Sequence, residues 1–145
     1  MSNGCSWPGT RQVMEQDRIR VLSVDDHALL REGIAMIINH QTDMVLVSQA
    51  TGGKEAIQQY RQHQPDVTLM DLRMPDLSGL DALLAIRAEF PEARIIMLTT
   101  FEGEIEIRRA IEAGACGYLL KSIPPNELVQ VIRQVHAGKK WVPPS

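Results

Sequence analysis

The chain contains no uninterrupted apolar run of the roughly 18 residues that a membrane-spanning helix requires, and its first eighteen residues lack the apolar stretch of a signal peptide. It has only two cysteines, Cys5 in a polar tail and Cys116 within Ala113-Gly114-Ala115-Cys116-Gly117. Two cysteines so far apart supply neither a metal site nor a disulfide framework, and a reducing, cytoplasmic compartment is the expectation. Charge of one sign is nowhere concentrated: 15 Lys and Arg stand against 18 Asp and Glu, for a net charge of -3. The pairs Arg108-Arg109 and Lys139-Lys140 read as solvated faces. The basic stripe with which a protein neutralises nucleic-acid phosphates is missing, so this segment is not expected to read DNA itself. No G-x-G-x-x-G follows the first apolar run, which argues against a dinucleotide site. Thr51-Gly52-Gly53-Lys54 lacks the glycine spacing of a P-loop and reads as a turn that opens a helix.

What remains is one domain of ordinary size: 145 residues, 44% hydrophobic and 23% charged. At that length folding buries roughly two-thirds of the unfolded surface, so a core is possible without staples. Residues 1–18 are polar and aperiodic and are expected to be disordered. Met14 stands just before the first apolar run and is a candidate natural start, which would make residues 1–13 a leader or an extension foreign to the natural chain. From Ile19 onward, short apolar runs alternate with helical periodicity. Strands are predicted at Ile19 to Val24, Met44 to Val47, Asp66 to Met70, Arg94 to Leu98 and Tyr118 to Leu120. Helices are predicted between and after them. Their apolar faces are Leu30, Ile34, Ile37 and Ile38; Ala56, Ile57 and Tyr60; Leu80, Leu83 and Leu84; Ile107, Ala110 and Ile111; and Leu128, Val131, Ile132 and Val135. Gly114 and Gly138 stand where helix-terminating glycines belong. Strict alternation implies right-handed crossovers and a parallel sheet covered on both faces, and near-continuous aliphatic strands agree with it. Residues 139–145 read as the start of a linker, ending on Pro143-Pro144. Trp141 is a candidate to pack on the fifth helix.

In such a sheet, ligands bind beyond the carboxyl ends of the strands, where strand order reverses. The residues found there are Asp25 and Asp26 after the first strand, Asp71 after the third, Thr99 and Thr100 after the fourth and Lys121 after the fifth. Three converging carboxylates repel one another and stay ionised only if a cation joins them. Oxygen donors suit a hard ion, and Mg²⁺ is the common intracellular one. A lysine and a hydroxyl beside them supply what a transferred phosphoryl group needs, and a carboxylate can itself be the nucleophile. An isolated acid after a strand is usually only an N-cap; the conjunction of acids, hydroxyl and lysine at successive strand ends argues for a site. His27, directly after the acid pair, reads as a solvent-facing or capping residue at the start of a helix, and His40, His63 and His136 lie near helix ends.

At these residues the sequence resembles the receiver domain of two-component response regulators. The matching pieces are Val24-Asp25-Asp26, Met70-Asp71-Leu72-Arg73-Met74-Pro75, Ser78-Gly79, Leu98-Thr99, Gly114-Ala115 and Gly117-Tyr118-Leu119-Leu120-Lys121, within residues 19–138. Val24-Asp25-Asp26-His27 and Leu98-Thr99-Thr100-Phe101 are similar to the branch whose members carry a C-terminal helix-turn-helix of the LuxR type. The resemblance implies a flavodoxin-like (βα)5 doubly wound sheet of order 2-1-3-4-5. It implies Asp71 as phospho-acceptor, with Mg²⁺ held by Asp26, Asp71, the main-chain carbonyl of Arg73 and, through water, Asp25. It implies Thr99 and Lys121 as phosphoryl-binding groups, and Tyr118 as a switch aromatic that swings inward when Thr99 is drawn to the phosphate. The partners it implies are a sensor histidine kinase, a second copy of the chain on phosphorylation, and DNA only through a further C-terminal domain. Such a protein catalyses only its own phosphorylation and slow dephosphorylation.

Two positions depart from the common pattern. Ser122 follows Lys121 where many receivers have a proline in a cis bond, so the loop must be held another way; serine is usual in the LuxR-type branch. Arg73 and Phe101 occupy the positions that tune self-dephosphorylation, where a long cation and a ring would screen the attacking water. The competing readings are a stand-alone receiver, a scaffold without phosphorylation, and a phosphatase that forms an aspartyl phosphate. The phosphatase pattern needs an acid two residues beyond the nucleophile as proton shuttle, and Arg73 stands there instead.

Overall fold

The computed structural model describes residues 18–100 and 103–141. The expected tail up to Asp17, Phe101 and residues 142–145 of the expected linker lie outside the described residues. Five strands and five helices alternate: β1 (Ile19–Val24), α1 (Ala28–Asn39), β2 (Met44–Ala50), α2 (Gly53–His63), β3 (Val67–Asp71), α3 (Gly79–Glu89), β4 (Ile95–Thr99), α4 (Glu104–Glu112), β5 (Gly117–Leu120) and α5 (Pro125–His136). The strands form one parallel sheet of order β2-β1-β3-β4-β5, as expected.

Pleating sends successive residues of each strand to opposite faces, and both faces are apolar. Leu22, Val24, Met70, Ile95 and Met97 face α2, α3 and α4, against Ala56, Tyr60, Leu83, Ile86 and Ala110. Ile19, Val21, Val67, Leu69, Ile96 and Leu98 face α1 and α5, against Ile34, Ile38, Leu128, Ile132 and Val135. Each large aliphatic side chain so buried contributes roughly 1.5–3 kcal/mol. Not every expected core position is inside: Leu84 and Ile111 are exposed, while the buried residues of α3 are Gly79, Ala82, Leu83 and Ile86. A stripe narrow enough to cover one sheet face reaches only one side of each helix.

Strand ends differ from the sequence reading in an instructive direction. β2 runs on through Ser48 and Gln49 to Ala50, which polarity alone would have cut short. β2 is an edge strand with one side to solvent, where such residues are tolerated. β3 and β4 each end on a polar residue, Asp71 and Thr99, paired with Leu98 and Leu120 respectively. Both chemically important residues are thus held by the ladder instead of following it. Gly114 (φ 104°) and Gly138 (φ 98°) leave α4 and α5 in the left-handed conformation that favours glycine. Arg133 on α5 reaches Asp43 through two contacts of 2.8 and 3.1 Å and Gln41 at 3.1 Å, fastening α5 to the loop before β2. The guanidinium holds the Asp43 carboxyl below its ordinary range.

Candidate functional site

The strand order reverses between β1 and β3, and the carboxyl ends of both open on the same crevice. Main-chain bonds fix each residue there to the neighbouring strand: Asp25 N–H donates to Ala50 O at 3.0 Å, Leu72 N–H to Leu98 O at 3.0 Å, and Lys121 N–H to Thr99 O at 2.7 Å. Asp25, Asp71 and Thr99 are buried. Lys121 Nζ lies 2.9 Å from Asp25 Oδ2 and 3.1 Å from Asp71 Oδ1, so the lysine bridges the two buried acids. Arg73 N–H donates to Asp71 Oδ1 at 3.3 Å, which curls the following loop around the carboxylate. Asp71 Oδ2 is also buried and has no hydrogen-bond partner among the described residues.

The electrostatics follow from this packing. Burial pushes the Asp71 carboxyl above its ordinary range, and its contact with Lys121 offsets only part of that. Burial alone would lower Lys121, but its contacts with Asp25 and Asp71 together outweigh it and hold the ammonium above its ordinary value. One lysine thus faces Asp71 and Asp25, with Asp26 nearby. Ligand atoms of Asp25, Asp26, His27 and Asp71 lie within 4.8 Å of one another. An orphaned buried carboxylate oxygen beside further acidic oxygens is the donor set a hard divalent cation takes, so Asp25, Asp26 and Asp71 fit the ion expected from the sequence.

The structure brings together Asp25, Asp26, Asp71 and Lys121, and places Thr99 at the end of the adjoining strand. Three residues make contacts that were not read from the sequence. His27 is the N-cap residue of α1 and makes no side-chain cap there. Instead its Nδ1 sits 3.0 Å from Asp25 Oδ1 and 3.1 Å from Asp26 Oδ1, so it belongs to the cluster although its side chain is 68% exposed. Tyr118 is 2% exposed and packs in the same cluster as Ala110 and Ala115. Its ring faces inward in this structure. Arg73 does not lie free over the site; its guanidinium pairs with Glu106 of α4 at 2.8 Å. That exposed pair is worth at most about 1 kcal/mol.

Other residues support the site. Arg31 Nη1 donates to Asp25 O at 2.6 Å from the first turns of α1. The Asp76 carboxylate accepts from Gly53 N–H and Lys54 N–H, both at 3.1 Å, and so caps α2 from the loop that follows Asp71. Ser78 Oγ accepts from Asp81 N–H at 3.1 Å and caps α3. The loop after Lys121, lacking the common proline, is held by Lys121 N–H on Thr99 O and by Ile123 N–H on Leu120 O at 3.1 Å.

A family model described as "Response regulator receiver domain" matches residues 21–133. The chain is 44% identical over 126 residues to an uncharacterized transcriptional regulatory protein, YxjL, of Bacillus subtilis (strain 168), covering 87% of this chain and 58% of that protein. It is 41% identical over 127 residues to the oxygen regulatory protein NreC of Staphylococcus carnosus (strain TM300), with the same shares covered. The chain thus spans less than two thirds of the length of these curated relatives. Among solved structures, a LuxR-family two-component response regulator from Aurantimonas sp. SI85-9A1 superposes with a TM-score of 0.82 at 38% identity, covering 86% of this chain and 89% of that one. The signal receiver domain of the NarL response regulator from Mycobacterium tuberculosis also reaches 0.82, at 29% identity, covering 85% of this chain and 99% of that one. Among the described residues, no helix is long and apolar enough to cross a membrane.

Proposed function

This chain belongs to the response regulator receiver family, and from that premise we propose that it is a phosphorylation switch whose acceptor is Asp71. One observation carries the reading: Asp71 Oδ2 is buried and unpartnered in a crevice that also holds a cationic lysine and two more acids. In the proposed reaction that oxygen attacks the phosphorus of a phosphohistidine on a sensor kinase. A P–O bond to Asp71 forms, the P–N bond breaks, and the kinase histidine leaves. Lys121 and the Thr99 hydroxyl bind oxygens of the transferred group. A divalent cation such as Mg²⁺, held by Asp26, Asp71, the Arg73 carbonyl and Asp25, would neutralise these acids and the charge on the transferring group. The domain catalyses its own phosphorylation and, slowly, its own dephosphorylation, and has no proton-shuttling acid two residues beyond Asp71 for rapid turnover. Incubation with a small acyl-phosphate donor and Mg²⁺, followed by intact-mass spectrometry, should find one added phosphoryl group; an unmodified chain would defeat the reading.

Asp26 tests the cation separately. Its side chain is partly exposed and pairs with His27, itself largely exposed, so it holds little of the fold. Asp26→Ala should weaken Mg²⁺ binding severely in calorimetry. With like-charge repulsion reduced, the metal-free variant should unfold at the same or a higher urea concentration. A variant that fails to fold would make Asp26 a structural residue.

The output we propose is transcriptional, in the cytoplasm. The family places a helix-turn-helix module after receivers of the LuxR type. YxjL carries "transcriptional regulatory" in its name and is longer than this chain. Phosphorylation would release or dimerise such a module. Nucleotide sequence beyond the Ser145 codon should encode it; a stop codon there would leave a stand-alone receiver.

A further inference from the structure

The chain does not leave the domain at the end of α5. It turns at Gly138 and returns to the open edge of β5, where Trp141 pairs in parallel with Gly117. Two main-chain bonds make the pairing: Trp141 N–H donates to Cys116 O at 2.8 Å, and Tyr118 N–H donates to Trp141 O at 3.2 Å. An edge strand presents unpaired N–H and C=O groups that another strand can take; here the chain's own segment takes them. The fit is close, since a side chain starting at Gly117 would lie 3.3 Å from Trp141 O. The backbone of Trp141 thus belongs to the sheet, while its side chain stays 40% exposed. The residue tied to it is Tyr118, the candidate switch aromatic.

We propose that this two-bond bridge is the relay through which the state of Asp71 reaches the segment that follows α5, as far as Trp141. The inference rests on the phosphorylation reading above. Lys121 N–H is bonded to Thr99 O, so the carboxyl ends of β4 and β5 move as one unit. A phosphoryl group that binds both Lys121 and Thr99 fixes that unit, and Tyr118 lies three residues upstream on the same short strand. In this structure the inward ring of Tyr118 and the bridge occur together. β5 is only four residues long, so the end of the strand that leads into Lys121 and the Tyr118 N–H that holds Trp141 O belong to one short ladder. The arrangement that holds a phosphoryl group therefore also holds the bridge. A shift of equilibrium needs such a difference in affinity between two states, and that coupling is reciprocal.

Amide hydrogen exchange on the full chain, with and without beryllofluoride and Mg²⁺, tests this, with occupancy at Asp71 followed by fluorine NMR. On loading, exchange at Trp141 and Tyr118 should slow by about fivefold or more, the lower end of ordinary allosteric coupling. By reciprocity, Trp141→Pro, which removes the N–H donated to Cys116, should weaken beryllofluoride binding by a similar factor. Trp141→Ala keeps both main-chain groups and should bind as wild type does, separating the bridge from packing of the indole. Loading with unchanged or faster exchange at Trp141 overturns the relay alone. Failure to load overturns both the relay and the phosphorylation reading.

Discussion

Asp71→Asn should abolish labelling by an acyl-phosphate donor while leaving the chain folded at least as stably as the wild type. The first half follows from the chemistry: the amide is isosteric but is no nucleophile, and Asp25 is occupied by Lys121, His27 and the turn into α1. Loss of the phosphoryl adduct in the intact mass should be complete, and adduct that persisted would move the acceptor to another residue. The second half follows from burial. A carboxyl whose folded pKa is raised favours folding most when protonated, and that contribution is lost as pH rises through the folded value. Burial raises Asp71 in this way, so at neutral pH its ionised form is a load on the fold. The uncharged amide removes the load, and Lys121 keeps Asp25 as its partner. Urea midpoints at neutral pH should be equal or higher in the variant. A clearly lower midpoint would mean that the Asp71–Lys121 pair holds the fold together.

Much of this arrangement was legible in the sequence because hydrophobic period and strand-end chemistry are local signals. The aliphatic runs gave the strands and the acids after them gave the crevice; no long-range information was needed for Asp25, Asp26, Asp71, Thr99 or Lys121. Two of the supports were hidden because they act across distance in the chain. Asp76 caps a helix more than twenty residues earlier, and Arg73 meets Glu106 of α4. His27 was read by its position at a helix start, and its ring turned instead to the adjacent acids. Trp141 carries no strand pattern at all; one residue cannot show a period, and its pairing is visible only once the edge of β5 is in place.

Gly79→Ala should be the most damaging single-methyl change in the domain. A Cβ at Gly79 would sit 2.1 Å from Asp71 O and 3.0 Å from both Asp71 C and Leu72 Cα. All three are backbone atoms, so no rotamer change relieves the clash. Gly79 N–H also donates to Leu72 O at 2.8 Å, which holds the start of α3 against the end of β3. Either α3 slides away, with Ser78 and its cap, or the peptide bearing Asp71 moves. Overpacking of this kind typically costs about 1–3 kcal/mol, and a displacement of about 1 Å at a reacting group can cost about 100-fold in rate. The variant should thus lose stability in urea and accept phosphoryl groups far more slowly than that stability loss explains. Gly33 supplies the contrast. It lies inside α1 with nothing within 4 Å of the added carbon, so Gly33→Ala should stabilise by roughly 0.5–1 kcal/mol and leave labelling unchanged. If Gly79→Ala matched Gly33→Ala in both measurements, the contact between α3 and the Asp71 backbone would not position the acceptor.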